Sequence, residues 1–243
     1  DDSFFIHVIN RIISKQLENF CATANGVSYV TEKSIQSHYP SYARTHGEDE
    51  FHFETYYSTI TLSDEAFSGP RDYTGVRSLE LALSCVAMES DRKGEKTLIR
   101  CVRLARERGY NVTAVLIGDG SKRADFQKLA EELDVKEYVK FTGLLSSSDA
   151  VRERLKKADI FVFPTQAEGL PRGILEAMAG GMPVLSTPVG GIPEVLEKRY
   201  MFDPLDAEAF ANAVCRLMDD PSELNKMSRH NFSVAENYKN TIL

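Results

Sequence analysis

The stretch that decides the fold is "DIFVFPTQAEGLPRGILEAMAGGMPVLS", residues 159–186. It contains an apolar run over Asp159–Phe163, a loop with prolines and a glycine, an alanine-rich helical segment and a second apolar run over Pro183–Ser186. Continuous apolar runs are typical of strands buried on both faces of a parallel sheet, and such strands are connected through helices. The stretch therefore predicts one strand–helix–strand unit of an α/β domain.

The same alternation continues on both sides of this unit. Further strands are predicted at Leu79–Ala87, Asn111–Ile117 and Tyr138–Thr142, with a weaker one at Tyr200–Phe202. The spacing of apolar residues predicts helices at Lys96–Arg108, Lys122–Leu133, Ser148–Lys157, Arg172–Ala179, Pro193–Glu197, Ala207–Met218 and Ser222–Tyr238. We therefore expect a doubly wound, Rossmann-like parallel sheet over residues 76–243.

Residues 1–60 have a different pattern. One helical face is predicted to carry Phe5, Ile9, Ile12, Ile13, Leu17 and Phe20. A short strand in "GVSYVT" (26–31), a helix capped by Thr31 and a strand at His52–Leu62 follow, before a linker containing Ser68–Tyr73. Because two or three elements cannot bury a core of their own, residues 1–75 are expected to be the remainder of a preceding domain plus a linker. Docking of these elements onto the main domain is the alternative.

Composition restricts the class of protein. A net charge of −7 over 243 residues argues against a nucleic-acid-binding surface, although a small basic pocket for one phosphorylated ligand is compatible with it. The four cysteines have no CxxC spacing, which is typical of a reducing compartment. No run approaches the roughly 20 apolar residues of a membrane span, and the acidic N-terminus does not resemble a signal peptide. We expect a cytoplasmic protein.

Two carboxylates, Glu168 and Glu176, flank the helix start in the quoted stretch. Parallel sheets bind ligands at the carboxyl ends of their strands, which is where this loop lies. Helical side chains tilt toward the N-terminus, so Glu176 is expected to point to the mouth that Glu168 faces. Gly169 and the free N–H groups of the first turn suit a phosphate, and carboxylates suit sugar hydroxyls. The pair predicts a nucleotide-sugar site, whereas stabilisation of the helix N-terminus is the alternative for Glu176 alone.

Other loops are expected at the same edge of the sheet. Gly190 and Gly191, in "STPVGGIPEVL" (186–196), either allow a phosphate to approach or form a tight turn, and both interpretations stay open. In "ESDRKGEKTL" (89–98), Lys93 is expected to neutralise a diphosphate, while Arg92 can do the same or lie in a solvated turn. "LIGDGSKRADF" (116–126) lacks the third glycine of a dinucleotide motif because Arg123 occupies that position, which argues against a nicotinamide enzyme.

Together these motifs resemble the retaining glycosyltransferases of group 1, which have two facing Rossmann-like domains (the GT-B fold) and an E-x7-E motif. The resemblance is carried by "RKGEKTLI" (92–99), "LIGDGSKRADFQKLAEEL" (116–133), "VKFTGLL" (139–145), residues 158–196 and the closing helices, and it covers roughly residues 79–243. Upstream, "GVSYVTEKSIQSHYP" (26–40) and "FETYYSTITL" (53–62) resemble the end of the acceptor-side domain in bacterial surface-polysaccharide members. The resemblance thus implies an acceptor-side remnant over 1–75 and a donor-binding domain over 76–243.

The implied activity is transfer of a hexose-type sugar, with retention, from a UDP- or GDP-linked donor to a glycan or lipid-linked acceptor. No metal or other cofactor is implied, and catalysis would rest on electrostatic stabilisation of the leaving diphosphate. The residues implied are Glu168 on the donor sugar, Lys93 on the diphosphate, Glu176 on the ribose hydroxyls, the amides of Gly169 and Leu170 on the donor, and Gly143–Leu144 against the base.

The chain departs from the family pattern at two points. The family has an arginine shortly before the lysine loop, where this chain has Ala87. Losing that charge-assisted contact costs on the order of 1.5–3 kcal/mol, unless Arg92 or another residue replaces it. The family's glycine-rich acceptor loop has no counterpart in residues 1–60, so this chain alone is expected to be inactive.

Two alternative functions are compatible with the same residues. One is a nucleotide-sugar epimerase of similar architecture, and the other is a nucleotide-sugar-binding module without activity. The resemblance also allows the full-length enzyme to associate peripherally with the inner face of a membrane.

Overall fold

The computed structural model describes residues 2–58 and 60–239, and the side chains of residues 2–7 and 10 lie outside this description. The chain divides into a first unit, residues 1–59, and a second unit, residues 60–243.

The first unit is a small α/β segment. Its elements are α1 (Asp2–Thr23), β1 (Gly26–Tyr29), α2 (Ser34–His38), α3 (Tyr42–His46) and β2 (Phe53–Tyr56), and the two strands pair in parallel. The predicted strand at His52–Leu62 is wrong in length. Its partner β1 has four residues, and the ladder ends with the bond from the Tyr57 N–H to the Tyr29 carbonyl.

The predicted apolar face of the first helix lies on α1. Ile9, Ile12, Ile13, Leu17 and Phe20 are all exposed there, Phe20 at 69%. The side chain of Phe5 lies outside the described residues. The predicted cap at Thr31 is wrong in position, because α2 begins at Ser34 with Lys33 as its N-cap. The Thr31 hydroxyl nevertheless accepts the Ile35 N–H at 3.1 Å.

The second unit alternates strands and helices, which confirms the predicted α/β class. The strands are β3 (Leu79–Ala87), β4 (Val112–Asp119), β5 (Val139–Phe141), β6 (Ile160–Val162) and β7 (Val184–Leu185). The helices are α4 (Glu95–Glu107), α5 (Arg123–Glu132), α6 (Ser148–Lys156), α7 (Arg172–Ala179), α8 (Ile192–Val195), α9 (Ala207–Asp219) and α10 (Pro221–Glu236).

All five strands run parallel, in the order β5-β4-β3-β6-β7. The central strand β3 is buried on both faces, with Leu81, Ala82 and Leu83 fully buried. This burial is the reason for the continuous apolar runs in the sequence. The weak strand predicted at Tyr200–Phe202 is wrong. Met201 forms a single bridge to Ser186 after a 3₁₀ turn at Lys198–Tyr200.

Residues 60–75 pack within the second unit. Leu62, Ala66 and Tyr73 belong to its buried core. The Arg71 guanidinium donates to the carbonyls of Gly180, at 2.7 Å, and of Ala158. The linker predicted from the sequence is therefore held against the helices of the second unit, while its assignment to a preceding domain stays a prediction.

The strand order places a switch point at the centre of the sheet. The chain moves outward from β3 through β4 to β5, and then returns to β6 on the other side of β3. The loops after β3 and β6 therefore leave the same edge in opposite directions and border a crevice, which is where ligands bind in open α/β sheets.

Candidate functional site

The loops after β3 and β6 pack directly against each other at the switch point. Gly94 follows a 3₁₀ turn at Asp91–Lys93 and has a φ of +88°. A Cβ atom at Gly94 would overlap the backbone and ring of Pro164, so both the conformation and the close approach require glycine here.

Lys93 and Glu168 meet across this junction. The Lys93 ammonium donates to Glu168 Oε1 in an ion pair, and Lys93 Nζ lies 5.6 Å from the centre of the Phe163 ring. The Lys93 side chain is 34% exposed and the Glu168 side chain is 14% exposed, so the pair is only partly shielded from solvent. The structure therefore brings together two of the residues that the sequence predicted for one site.

Hydrogen bonds from Thr165 and Gln166 join the two loops. Thr165 is fully buried, and its hydroxyl lies 3.2 Å from the Arg92 carbonyl and 3.3 Å from Glu168 Oε1. The Gln166 N–H donates to the same Arg92 carbonyl at 2.8 Å. Arg92 thus contributes its backbone while its side chain is exposed. The sequence did not predict Thr165 as a site residue, because a small polar residue after a strand is typical of an ordinary loop.

Gly190 and Gly191 lie against the Glu168 loop. Gly190 has a φ of +55°, and a Cβ there would overlap the carbonyls of Glu168 and Gly169. The Gly191 N–H donates to the Gly169 carbonyl. Close backbone packing therefore accounts for Gly190 without a ligand, and phosphate binding by these glycines stays a prediction. Leu170, the next predicted residue, is half-buried and packs on the core.

Glu176 has a different partner from Glu168. Its Oε1 accepts from Arg172 Nε at 3.1 Å, one turn earlier on α7, and Arg172 also donates to the Thr61 carbonyl. The Glu176 side chain is 14% exposed. The contacts described do not join Glu176 to the Lys93–Glu168 pair, so its role on the ribose stays a prediction.

The loop after β5 lies at the same edge of the sheet. Gly143 has a φ of +74°, and its carbonyl accepts the Gly118 N–H at 3.1 Å. Leu144 is 66% exposed, and its predicted contact with the base stays a prediction. Next to Gly143, Arg123 donates to Asp119 Oδ2 at 2.9 Å. Arg123 is a cation that sequence reasoning considered only as a missing glycine.

Ala87 ends β3 and is exposed at this edge, opposite Asp119 of β4.

Close by in sequence, Glu95 is the first residue of α4 and is fully buried. Neither Glu95 oxygen has a hydrogen-bond partner among the described residues. Burial raises the pKa of Glu95 to about 7, and the Asp91 carboxylate adds to the rise. Sequence reasoning missed Glu95 because a glutamate in a first helical turn reads as an exposed stabiliser of the helix dipole.

Among residues 2–58 and 60–239, no three His, Cys, Asp or Glu side chains lie close enough to hold a metal ion. Within the same residues, no helix has the length and apolar character needed to cross a membrane. The expectation that ligand binding needs no metal stays a prediction.

Solved structures of other proteins show the class of fold. The second unit's parallel sheet and helices are shared with GT-B glycosyltransferases. The pneumococcal O-GlcNAc transferase GtfA, solved in complex with UDP and GlcNAc, superposes with a TM-score of 0.69 at 14% identity, over 88% of this chain and 42% of that one. The C-terminal domain of the group 1 glycosyl transferase LpcC from Francisella tularensis superposes with a TM-score of 0.63 at 19% identity, over 73% of this chain and 99% of that one.

Residues 81–220 match the sequence profile of the family described as glycosyl transferases group 1, and this chain belongs to that family. Protein CapJ of Staphylococcus aureus is 26% identical over 245 residues, which cover 98% of this chain and 58% of CapJ. The chain therefore spans little more than half the length of this relative.

Proposed function

We propose that this chain contains the donor-binding part of a retaining glycosyltransferase that builds a bacterial polysaccharide. Residues 76–243 would bind a UDP- or GDP-linked hexose, and residues 1–75 would be the remainder of the acceptor-side domain with its linker. The observation that carries the proposal is the meeting of Lys93 and Glu168 at the switch point of the sheet.

The chemistry of this pair suits a nucleotide sugar. The Lys93 ammonium has three N–H donors, and the one that binds Glu168 can turn to a diphosphate without a change in the backbone. Glu168 would then accept hydrogen bonds from hydroxyls of the donor sugar. The helix N-termini of α4 and α7 add partial positive charge at the same edge. The structure of GtfA with UDP supports the choice of ligand class.

Catalysis would rest on stabilising the departing nucleoside diphosphate. Negative charge develops on the diphosphate as the glycosidic bond breaks, and Lys93 would meet it in a partly shielded site. Glu168 would position the sugar and balance positive charge at the anomeric carbon. The E-x7-E spacing of Glu168 and Glu176 supports retention of the anomeric configuration through the family resemblance, with Glu176 moving from Arg172 to the ribose.

Ala87 removes one expected cation from this edge. Arg92 is exposed beside Lys93, and Arg123 lies beside Gly143, so either side chain could replace the missing contact after a rotamer change. The glycan or lipid-linked acceptor would bind to the acceptor-side domain. Association of the full-length enzyme with the cytoplasmic face of a membrane belongs to the same proposal.

Calorimetric binding of UDP-glucose and GDP-mannose tests the proposal. We expect one of the two to bind the chain, and Lys93→Met to weaken binding at least tenfold. Lys136→Met is the matched control, because Lys136 pairs with Glu131 at 2.6 Å but lies before β5, at the opposite edge of the sheet. Equal losses in both variants, or no binding by the wild type, would contradict a donor site at Lys93.

The stereochemistry needs a chain that spans the whole length of its relatives. Product analysis by NMR should show a glycoside with the anomeric configuration of the donor. An inverted glycoside would refute retention. An altered nucleotide sugar formed without acceptor would indicate the epimerase, and donor binding without any product would indicate a binding module.

A further inference from the structure

Glu95 occupies an unusual position for a carboxylic acid. It is the first residue of α4, two residues after Lys93, and it is fully buried. Neither carboxyl oxygen has a hydrogen-bond partner among the described residues. A buried carboxylate without a partner is costly, so such a group persists as the neutral acid or has a function.

Stabilisation of the helix does not explain this placement. The first turn of α4 is capped by a different carboxylate, because Asp91 Oδ1 accepts the Lys96 N–H at 3.0 Å. The Cys85 thiol beside Glu95 is directed to the Ala87 carbonyl at 3.1 Å. Glu95 is therefore an additional acid at the base of the Lys93 loop.

Three charged or titratable groups of residues 2–58 and 60–239 act on Glu95. Cys85 comes from β3, and Asp91 and Lys93 come from the turn before α4. Burial raises the pKa of Glu95 to about 7; Asp91 adds to the rise, while the backbone N–H of Glu95, the Cys85 thiol and Lys93 oppose it. Near neutral pH, Glu95 is therefore balanced between its two protonation states.

A diphosphate at Lys93 would change that balance. It brings negative charge to the base of the loop and engages the ammonium that favours the ionised acid. Both effects disfavour the Glu95 carboxylate and draw a proton from solvent. Conversely, an ionised Glu95 would repel the incoming diphosphate, since the two processes are thermodynamically linked.

We propose that Glu95 is a positioning residue that takes up a proton when an organic diphosphate binds beside Lys93, and that it thereby sets the pH dependence of donor binding. The proposal rests on the proposed donor site. Glu95 does not touch the donor, because it is buried beneath the loop, and it acts through Lys93.

The size of the effect follows from the linkage. If the bound diphosphate raises the pKa of Glu95 by about one unit, the Kd rises about fivefold between pH 6 and pH 8. The same binding event takes up a fraction of a proton per site near pH 7.5. The diphosphate of a nucleotide sugar is fully ionised over this range, so the ligand itself contributes no matching change.

Calorimetry with UDP-glucose and GDP-mannose at pH 6, 7 and 8 tests this inference. The wild type should lose affinity several-fold as pH rises and should take up protons, measured with buffers of different ionisation enthalpy. Glu95→Gln should bind with a Kd that is nearly independent of pH. Glu131→Gln is the matched control, because it removes an exposed carboxylate at the opposite edge of the sheet, and it should behave like the wild type.

The outcomes separate the two claims. A nucleotide sugar that binds without proton uptake, or with the same pH dependence in wild type and Glu95→Gln, refutes the role of Glu95 and leaves the donor site intact. No binding by the wild type at any pH refutes the donor site and this inference together. Proton uptake is measured on the wild type, so the test stands even if Glu95→Gln fails to fold.

Discussion

The buried acid Glu95 predicts that Glu95→Gln changes the pH dependence of stability. In the folded chain its pKa is about 7, against an ordinary value of 4.5. Between these values the unfolded chain releases the proton and the folded chain keeps it. Stability is therefore lost as pH rises from the unfolded pKa to the folded pKa, and is constant above it. The glutamine variant has no such loss.

For these two pKa values, the loss between pH 5 and pH 8 is about 2.5 kcal/mol. The amide of glutamine adds a constant cost if it lacks partners, but this cost cancels when the difference between variant and wild type is compared at the two pH values. We expect the free energy of unfolding of Glu95→Gln, relative to that of the wild type, to be about 2.5 kcal/mol higher at pH 8 than at pH 5. This corresponds to about 5–10 °C in Tm.

Urea unfolding followed by far-UV circular dichroism is the assay, because the chain contains no tryptophan. Glu131→Gln serves as the control and should show the same pH dependence as the wild type. A difference between Glu95→Gln and wild type that is the same at pH 5 and pH 8 would show that the pKa of Glu95 is not raised, because Glu95 would then be ionised in the folded chain at both values.

Three other substitutions follow from the packing around the site. Gly190→Ala should destabilise by about 1–3 kcal/mol and weaken donor binding, because its Cβ would displace the Glu168 backbone; unfolding and binding unchanged from wild type would contradict the close packing. Arg71→Met should cost about 3 kcal/mol in urea unfolding, because the Gly180 carbonyl loses a charged donor; a loss below 0.5 kcal/mol would contradict its role. Ser147→Ala should lower the free energy of urea unfolding by about 1 kcal/mol, because α6 loses its N-cap hydrogen bond; an unchanged free energy would contradict a stabilising role for this cap.

The architecture was predictable because its main signal is local. β3 and β4 are buried on both faces, so each appears in the sequence as an unbroken apolar run. Element ends were less predictable, since they depend on partners. β2 stops where the four-residue β1 ends, and Met201 forms a single bridge to Ser186, directly after the short strand β7. Neither partner length can be deduced from the strand itself.

Part of the site was predictable for the same topological reason. Loops after adjacent parallel strands meet at one edge, which places Lys93 beside Glu168. The Arg172–Glu176 pair has the i, i+4 spacing that was available in the sequence as a signal. The burial of Glu95 was not predictable, because it depends on how the turn before α4 packs on β3 and β6.

A structure of this chain with a bound nucleotide sugar would test the donor site at Lys93 most directly. We expect a diphosphate oxygen within about 3.2 Å of Lys93 Nζ, with Glu168 released from the ammonium and facing the sugar. A nucleotide sugar bound at another surface, with the Lys93–Glu168 pair intact, would contradict a donor site at Lys93.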